Sequence, residues 1–159
     1  MAFPQRWMAA MRAPHRSPEY YSSLLERGFE AAPRYLEPQE ELIVSVPARI
    51  GGAILHYIGL AGIEPYLGDY LQGHVIVYLT NHRLLLVREI SLAEKPGPLE
   101  TVFPVSQMQV AAFKEGRHWF SFPVLVLRTG DKTLRLNFEP PYRRQAKELA
   151  TGIAELGRA

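Results

Sequence analysis

Two short runs, His74 to Thr80 and Arg83 to Ile90, are rich in β-branched residues and leucine and are separated only by Asn81 and His82. Runs of this length suit strands, and a two-residue gap leaves room only for a tight antiparallel reversal. Asparagine tolerates the positive φ that tight hairpin turns use, so Asn81 stands in for the usual glycine. The chain is thereby committed to antiparallel sheet, and the remaining segments are read against that constraint.

Leu42, Val44 and Val46 alternate with Ile43 and Ser45, which predicts a first strand reaching Arg49. Pro47 predicts an edge or a bulge near its end. Four further runs, Leu99 to Val105, Met108 to Phe113, Trp119 to Arg128 and Lys132 to Phe138, bring the strands to seven. Lys95 to Pro98 form a loop before them, and Gly116 and the pair Gly130 and Asp131 mark turns between them.

Ahead of the strands, Ser17 and Pro18 form a helix start and Glu19 suits its first turn. Tyr21, Leu24, Leu25, Gly28 and Phe29 build one apolar stripe on a helix placed within 17–36 and ending before Pro33. After Pro140 and Pro141, the residues Tyr142, Ala146, Leu149, Ile153 and Leu156 recur at helical spacing, with Gly157 placed to stop the helix. The expected fold is mainly β with helices (α+β), a seven-stranded antiparallel barrel or sandwich capped by the C-terminal helix and carrying an N-terminal helical extension.

The 159 residues, 47% hydrophobic and 21% charged, suit one globular domain that needs no crosslink. Cysteine is absent, which removes disulfides, thiolate nucleophiles and Cys-based zinc sites and fits a cytoplasmic location, with a peripheral membrane position open to it. The net charge of +2 is unevenly spread. Residues 1–18 carry three arginines and no acid, whereas residues 19–64 hold seven acids against three arginines. Residues 1–16 therefore read as a flexible basic arm. No run reaches the length of a membrane-spanning helix, and Ile50 to Ile63, the nearest, is broken by four glycines. The N-terminus lacks the apolar core and cleavage site of a secretion signal.

The run Val77-Tyr78-Leu79-Thr80-Asn81-His82-Arg83-Leu84 resembles the hairpin of bacterial pleckstrin-homology-like and GRAM-like domains, in which a Thr-Asn-X-Arg-Leu turn joins two hydrophobic strands. Pro38 to Leu42 is similar to the opening of such domains, and Asn137-Phe138 before a helix is similar to their close. The resemblance covers about residues 38–157. It implies a domain over 38–159 with an apolar, Gly-rich insertion at 50–73, and it leaves residues 1–36 outside the pattern.

Chemistry is sparse. None of the five histidines (15, 56, 74, 82 and 118) is spaced four residues from another, so no helical metal-ligand pair arises, and no metal is expected. Nucleophile-elbow and phosphate-cradling glycine motifs are missing. Glu40 and Glu41 are adjacent at a strand start, point to opposite faces and read as solvated. Arg135 and Asn137 face away from Leu134, Leu136 and Phe138, a pattern that an ordinary half-buried strand also produces, so nucleic acid is an unfavoured partner. The chain reads as a binding module and not an enzyme, with no catalytic residues and no cofactor.

In the fold that the resemblance implies, headgroups bind at the open end of the barrel. The loops there would bring Arg49, Lys95 and Lys132 together around a phosphate. The dense basic cluster of inositide-binding relatives is lacking. A second contact surface is expected from Leu55, Tyr57 and Ile58 in the apolar segment 50–73, which is read as core, as a homo-oligomer interface or as a shallow membrane insertion. Arg6, Trp7 and Arg12 suit an interfacial anchor. The expected function is engagement of a partner protein or of anionic lipid headgroups. The alternative is a structural subunit assembling into a homo-oligomer through segment 50–73.

Overall fold

The computed structural model describes residues 17–51, 74–88, 101–116 and 122–158. Its strands are β1 (Leu42–Gly51), β2 (His74–Thr80), β3 (Arg83–Arg88), β4 (Thr101–Pro104), β5 (Met108–Lys114), β6 (Val124–Thr129) and β7 (Lys132–Asn137). They form one antiparallel sheet in the order β4-β3-β2-β1-β7-β6-β5. Two meanders, β1 to β4 and β5 to β7, are thus joined along a seam between the first strand and the last. Among the described residues β1 pairs with β2 from Leu42 to Arg49 and with β7 at Arg49, Ile50 and Gly51.

Each face of this sheet is covered by a helix. Val75, Val77 and Leu79 of β2 join Leu84 and Leu86 of β3 in a core with Leu125, Leu127, Leu134 and Leu136, closed by α2 (Arg143–Arg158) through Ala146, Leu149 and Ile153. Ile76, Tyr78, Leu85 and Val87, on the opposite parity, pack with Leu24, Ala31, Ala32 and Tyr35, the first two being residues of α1 (Pro18–Ala31). The hairpin is therefore buried on both sides, which is why its two runs are apolar at nearly every position.

α1 starts as expected, with the Ser17 hydroxyl oxygen accepting the Tyr20 N–H at 3.3 Å. It stops at Ala31, and the chain tightens into a 3₁₀ turn over Ala32–Arg34, because Pro33 has no N–H to continue the α ladder. The helix thus ends before Pro33, as expected. Gly28 lets the helix lie close to the sheet: a Cβ there would stand 3.2 Å from Ser45 Oγ and 3.3 Å from Ile76 Cγ2. The Tyr78 hydroxyl donates to the Gly28 carbonyl at 2.6 Å, and burial raises the pKa of that phenol above its ordinary value.

Four local expectations are corrected, and one of two alternatives is selected. Non-glycine residues with positive φ are absent among the described residues, so the hairpin does not turn on a left-handed Asn81. Thr80 Oγ1 holds it instead, accepting the N–H of His82 at 3.1 Å and of Arg83 at 3.0 Å. Of the two readings of Pro47, the edge holds and the bulge does not: it pairs in register with Ile76, at a level where β1 has no partner on its β7 side among the described residues, and the register shift lies between Leu42 and Val44. β6 begins at Val124, after Pro123, and not at Trp119. Gly157 does not end α2, which runs to Arg158; a Cβ there would lie 3.3 Å from the Met108 carbonyl oxygen, so the glycine serves close approach to β5. Phe29, expected on the buried stripe, is 66% exposed.

Candidate functional site

Residues directly opposite one another in paired strands share a face of the sheet. Arg49 on β1 is opposite His74 on β2 and Asn137 on β7, and Gly51 is opposite Arg135. Arg135 is in turn opposite Val126, and Arg128 on β6 is opposite both Thr133 and Gln109. All of these lie on the parity opposite to the buried Ile50, Leu134, Leu136, Leu125 and Leu127. The register therefore lines up Arg49, Arg135 and Arg128 on one diagonal across three neighbouring strands. Diagonal neighbours in a sheet are about 7–8 Å apart, so the three arginines form an evenly spaced row.

All three are exposed, and none has a side-chain ion pair or hydrogen bond among the described residues. Lys114, opposite Val124, adds a fourth cation on the same face at the edge strand. The strands β1, β5, β6 and β7 contain no Asp or Glu. Adjacent arginines of the row are thus held within about a Debye length of each other, with Lys114 farther along the same face and no acid on those strands, an arrangement that repels itself and attracts an anionic surface.

Of the residues expected to surround a ligand, Arg49 belongs to this row. Lys132 opens β7 at the turn, opposite Thr129 and five residues along the strand from Asn137, about 17 Å from the level of Arg49. The register joins Arg49 to Arg135 and Arg128, and not to Lys132. Lys95, Arg6, Trp7, Arg12, Leu55, Tyr57 and Ile58 lie outside the described residues. Arg128 escaped the sequence reading and Arg135 was read as an ordinary outward residue. Alternation shows only that each faces out; which outward residues become neighbours is decided by register.

A second polar cluster corrects the reading of Glu40 as solvated. Its side chain is 1% exposed and lies against the guanidinium of Arg83, whose Nε stands 3.0 and 2.9 Å from the two carboxylate oxygens. The Thr80 hydroxyl donates to Glu40 Oε2 at 2.6 Å, the Glu37 N–H donates to Oε1 at 2.8 Å, and Arg83 also donates to the Tyr35 carbonyl at 3.0 Å. The Arg83 guanidinium, with these hydrogen bonds, holds the Glu40 carboxyl at about 2 against the opposing effect of burial. Glu41 is exposed; its N–H donates to Asn81 Oδ1 at 3.0 Å and its carbonyl accepts the Asn81 N–H at 3.2 Å. The cluster clasps the entry of β1 to the hairpin turn. Its acceptors and donors are engaged with one another, so it offers nothing to a ligand.

Among the described residues no group of three or more His, Asp or Glu side chains is placed to hold a metal ion, and no helix is long and apolar enough to cross a membrane. Compared with known families and with curated proteins, the chain matches no family model and no curated sequence.

Proposed function

We propose that this chain is a non-catalytic binding module of pleckstrin-homology-like architecture that engages an anionic membrane surface through the outward face of β1, β7 and β6. The observation that carries it is the unpaired diagonal of Arg49, Arg135 and Arg128. The order of seven antiparallel strands followed by a helix, with the Thr80-Asn81-His82-Arg83 turn in the second hairpin, supports the family reading.

A lipid surface is favoured over nucleic acid by what lies between the cations. Single-stranded nucleic acid is held by aromatic side chains on which bases stack. The uncharged residues flanking the arginines on β6 and β7, Val124, Val126, Thr133 and Asn137, include no aromatic ring, and on the side of β2 the row meets the single imidazole of His74 opposite Arg49. Each basic side chain at an anionic lipid surface contributes about 1 kcal/mol, so four give roughly 4 kcal/mol and a weak, reversible attachment. Arg6, Trp7 and Arg12, of the same basic and interfacial chemistry, would add to it.

Co-sedimentation with phosphatidylcholine vesicles and with vesicles containing phosphatidylserine, at low and high salt, tests the reading. The full chain should be captured only by the anionic vesicles at low salt, and the variant R49E/R128E/R135E should be lost from the pellet while melting at the same temperature. Equal capture of that variant, or no capture of the full chain, would overturn it; preferential binding of a single-stranded oligonucleotide would assign the face to nucleic acid instead.

A further inference from the structure

We propose that the groove between α1, the start of β1 and α2 is a docking site for an arginine side chain carried on an apolar segment of a partner protein. The groove has a volume of about 340 Å³ and is lined by Leu25, Phe29, Leu42 and Ile43, with Glu26 and Glu30 on its α1 side. It is open to solvent, which suits an inserted side chain better than an enclosed small molecule.

Two observations converge on that occupant, and a third shows that polar atoms beneath the groove are left without hydrogen bonds. Phe29 and Ile43, 66% and 46% exposed, present apolar surface from two different elements to the same space. Both had a route to burial: Phe29 belongs to the apolar stripe of α1, and Ile43 is turned out of the strand's alternation by the register shift between Leu42 and Val44. Glu26 and Glu30, one helical turn apart on α1, have no ion pair among the described residues, although like charges at this spacing destabilise a helix. Gln145 Oε1 and Ser45 Oγ, from two lining residues, are buried polar atoms without a hydrogen-bond partner.

An arginine answers the first two. Its aliphatic stem covers Ile43 and Leu42, its planar head stacks on the Phe29 ring, and its fan of N–H groups reaches the carboxylates of Glu26 and Glu30. Neighbouring apolar residues of the partner would cover the rest of Phe29. The acidic rim repels an anionic lipid surface, so this site is separate from the arginine face, and its partner is a protein segment.

The full chain would be titrated with a 14-residue helical Leu/Arg peptide, its Leu/citrulline analogue and its Leu/Glu counterpart, with backbone amide shifts as the readout. Shifts confined to residues 25–30 and 42–45 are expected. Affinity should fall by about fivefold or more with citrulline or in E26Q/E30Q, and should be abolished in F29S. The control E148Q, on the exposed face of α2, should bind as the parent does. Equal binding of all three peptides at the groove would overturn the arginine specificity while leaving docking intact. Shifts elsewhere, or none, would overturn the site itself. A tighter peptide complex in R6Q/R12Q/R16Q would overturn the partner assignment and name residues 1–16 of the same chain as the occupant. Since no lipid is present, none of these outcomes depends on the membrane reading.

Discussion

Glu40 has left water and gained hydrogen bonds from Arg83, Thr80 and the Glu37 backbone in exchange. Such an arrangement is costly to break from one side, because the surviving partner is left charged and shielded from water. Glu40→Gln should therefore destabilise the protein by about 3–5 kcal/mol in urea unfolding, and Arg83→Met by a similar amount. Because the folded-state pKa of Glu40 is depressed from 4.5 to about 2, its contribution is fully present above the ordinary carboxylate range and is lost as the pH falls from about 4.5 to about 2. Denaturation midpoints measured through that window should fall more steeply for the parent than for Glu40→Gln, in which the group no longer titrates. The sequence placed Glu40 and Glu41 on opposite faces correctly. It could not show what waited on the Glu40 side, since Arg83 lies beyond the long segment between β1 and β2 and is brought back only by the antiparallel register.

Local signals defined most of the elements. The hairpin, the cap at Ser17, the turn at Gly130 with φ 64°, and the stripe of Ala146, Leu149 and Ile153 all stand where periodicity and turn chemistry put them. The misreadings arose where contact between elements overrides local preference. Gly157 looks like a stop signal, yet α2 runs through it to Arg158, and a Cβ there would crowd the Met108 carbonyl oxygen at 3.3 Å. Gly28 is a similar case: a helix interior would favour alanine, but Ser45 and Ile76 occupy the space where a branched side chain would go. Gly28→Val should cost about 1–3 kcal/mol by overpacking. Its specific signature should be faster amide exchange in α1 than in α2, since α1 is the element that would be pushed off the sheet.

At the scale of the whole molecule, the arginine diagonal is a property of register, with no counterpart in the linear chain. A slip of one residue between β1 and β7 would turn Arg49 to the buried face, and a slip of two would move it out of line with Arg135. This is why a sequence with a net charge of only +2 can carry a concentrated cationic face. Raising salt from 50 to 300 mM should abolish capture of the chain by anionic vesicles while leaving its melting temperature within a few degrees, because attachment is screened and the core is not. The same diagonal crosses the seam. Arg49 belongs to the first strand and Arg135 and Arg128 to the last two, and among the described residues three Cα pairs join these strands, above a core shared by both meanders and α2. Each meander is built from contacts between consecutive strands, whereas the seam pairs Arg49 with Asn137 and must close a loop of about 88 residues, the larger entropy cost. The three charges come into line only when that step is complete. A chain with both meanders formed but the seam open would present Arg128, Arg135 and Lys114 without Arg49 beside them, so attachment to the membrane would be weaker until folding is finished.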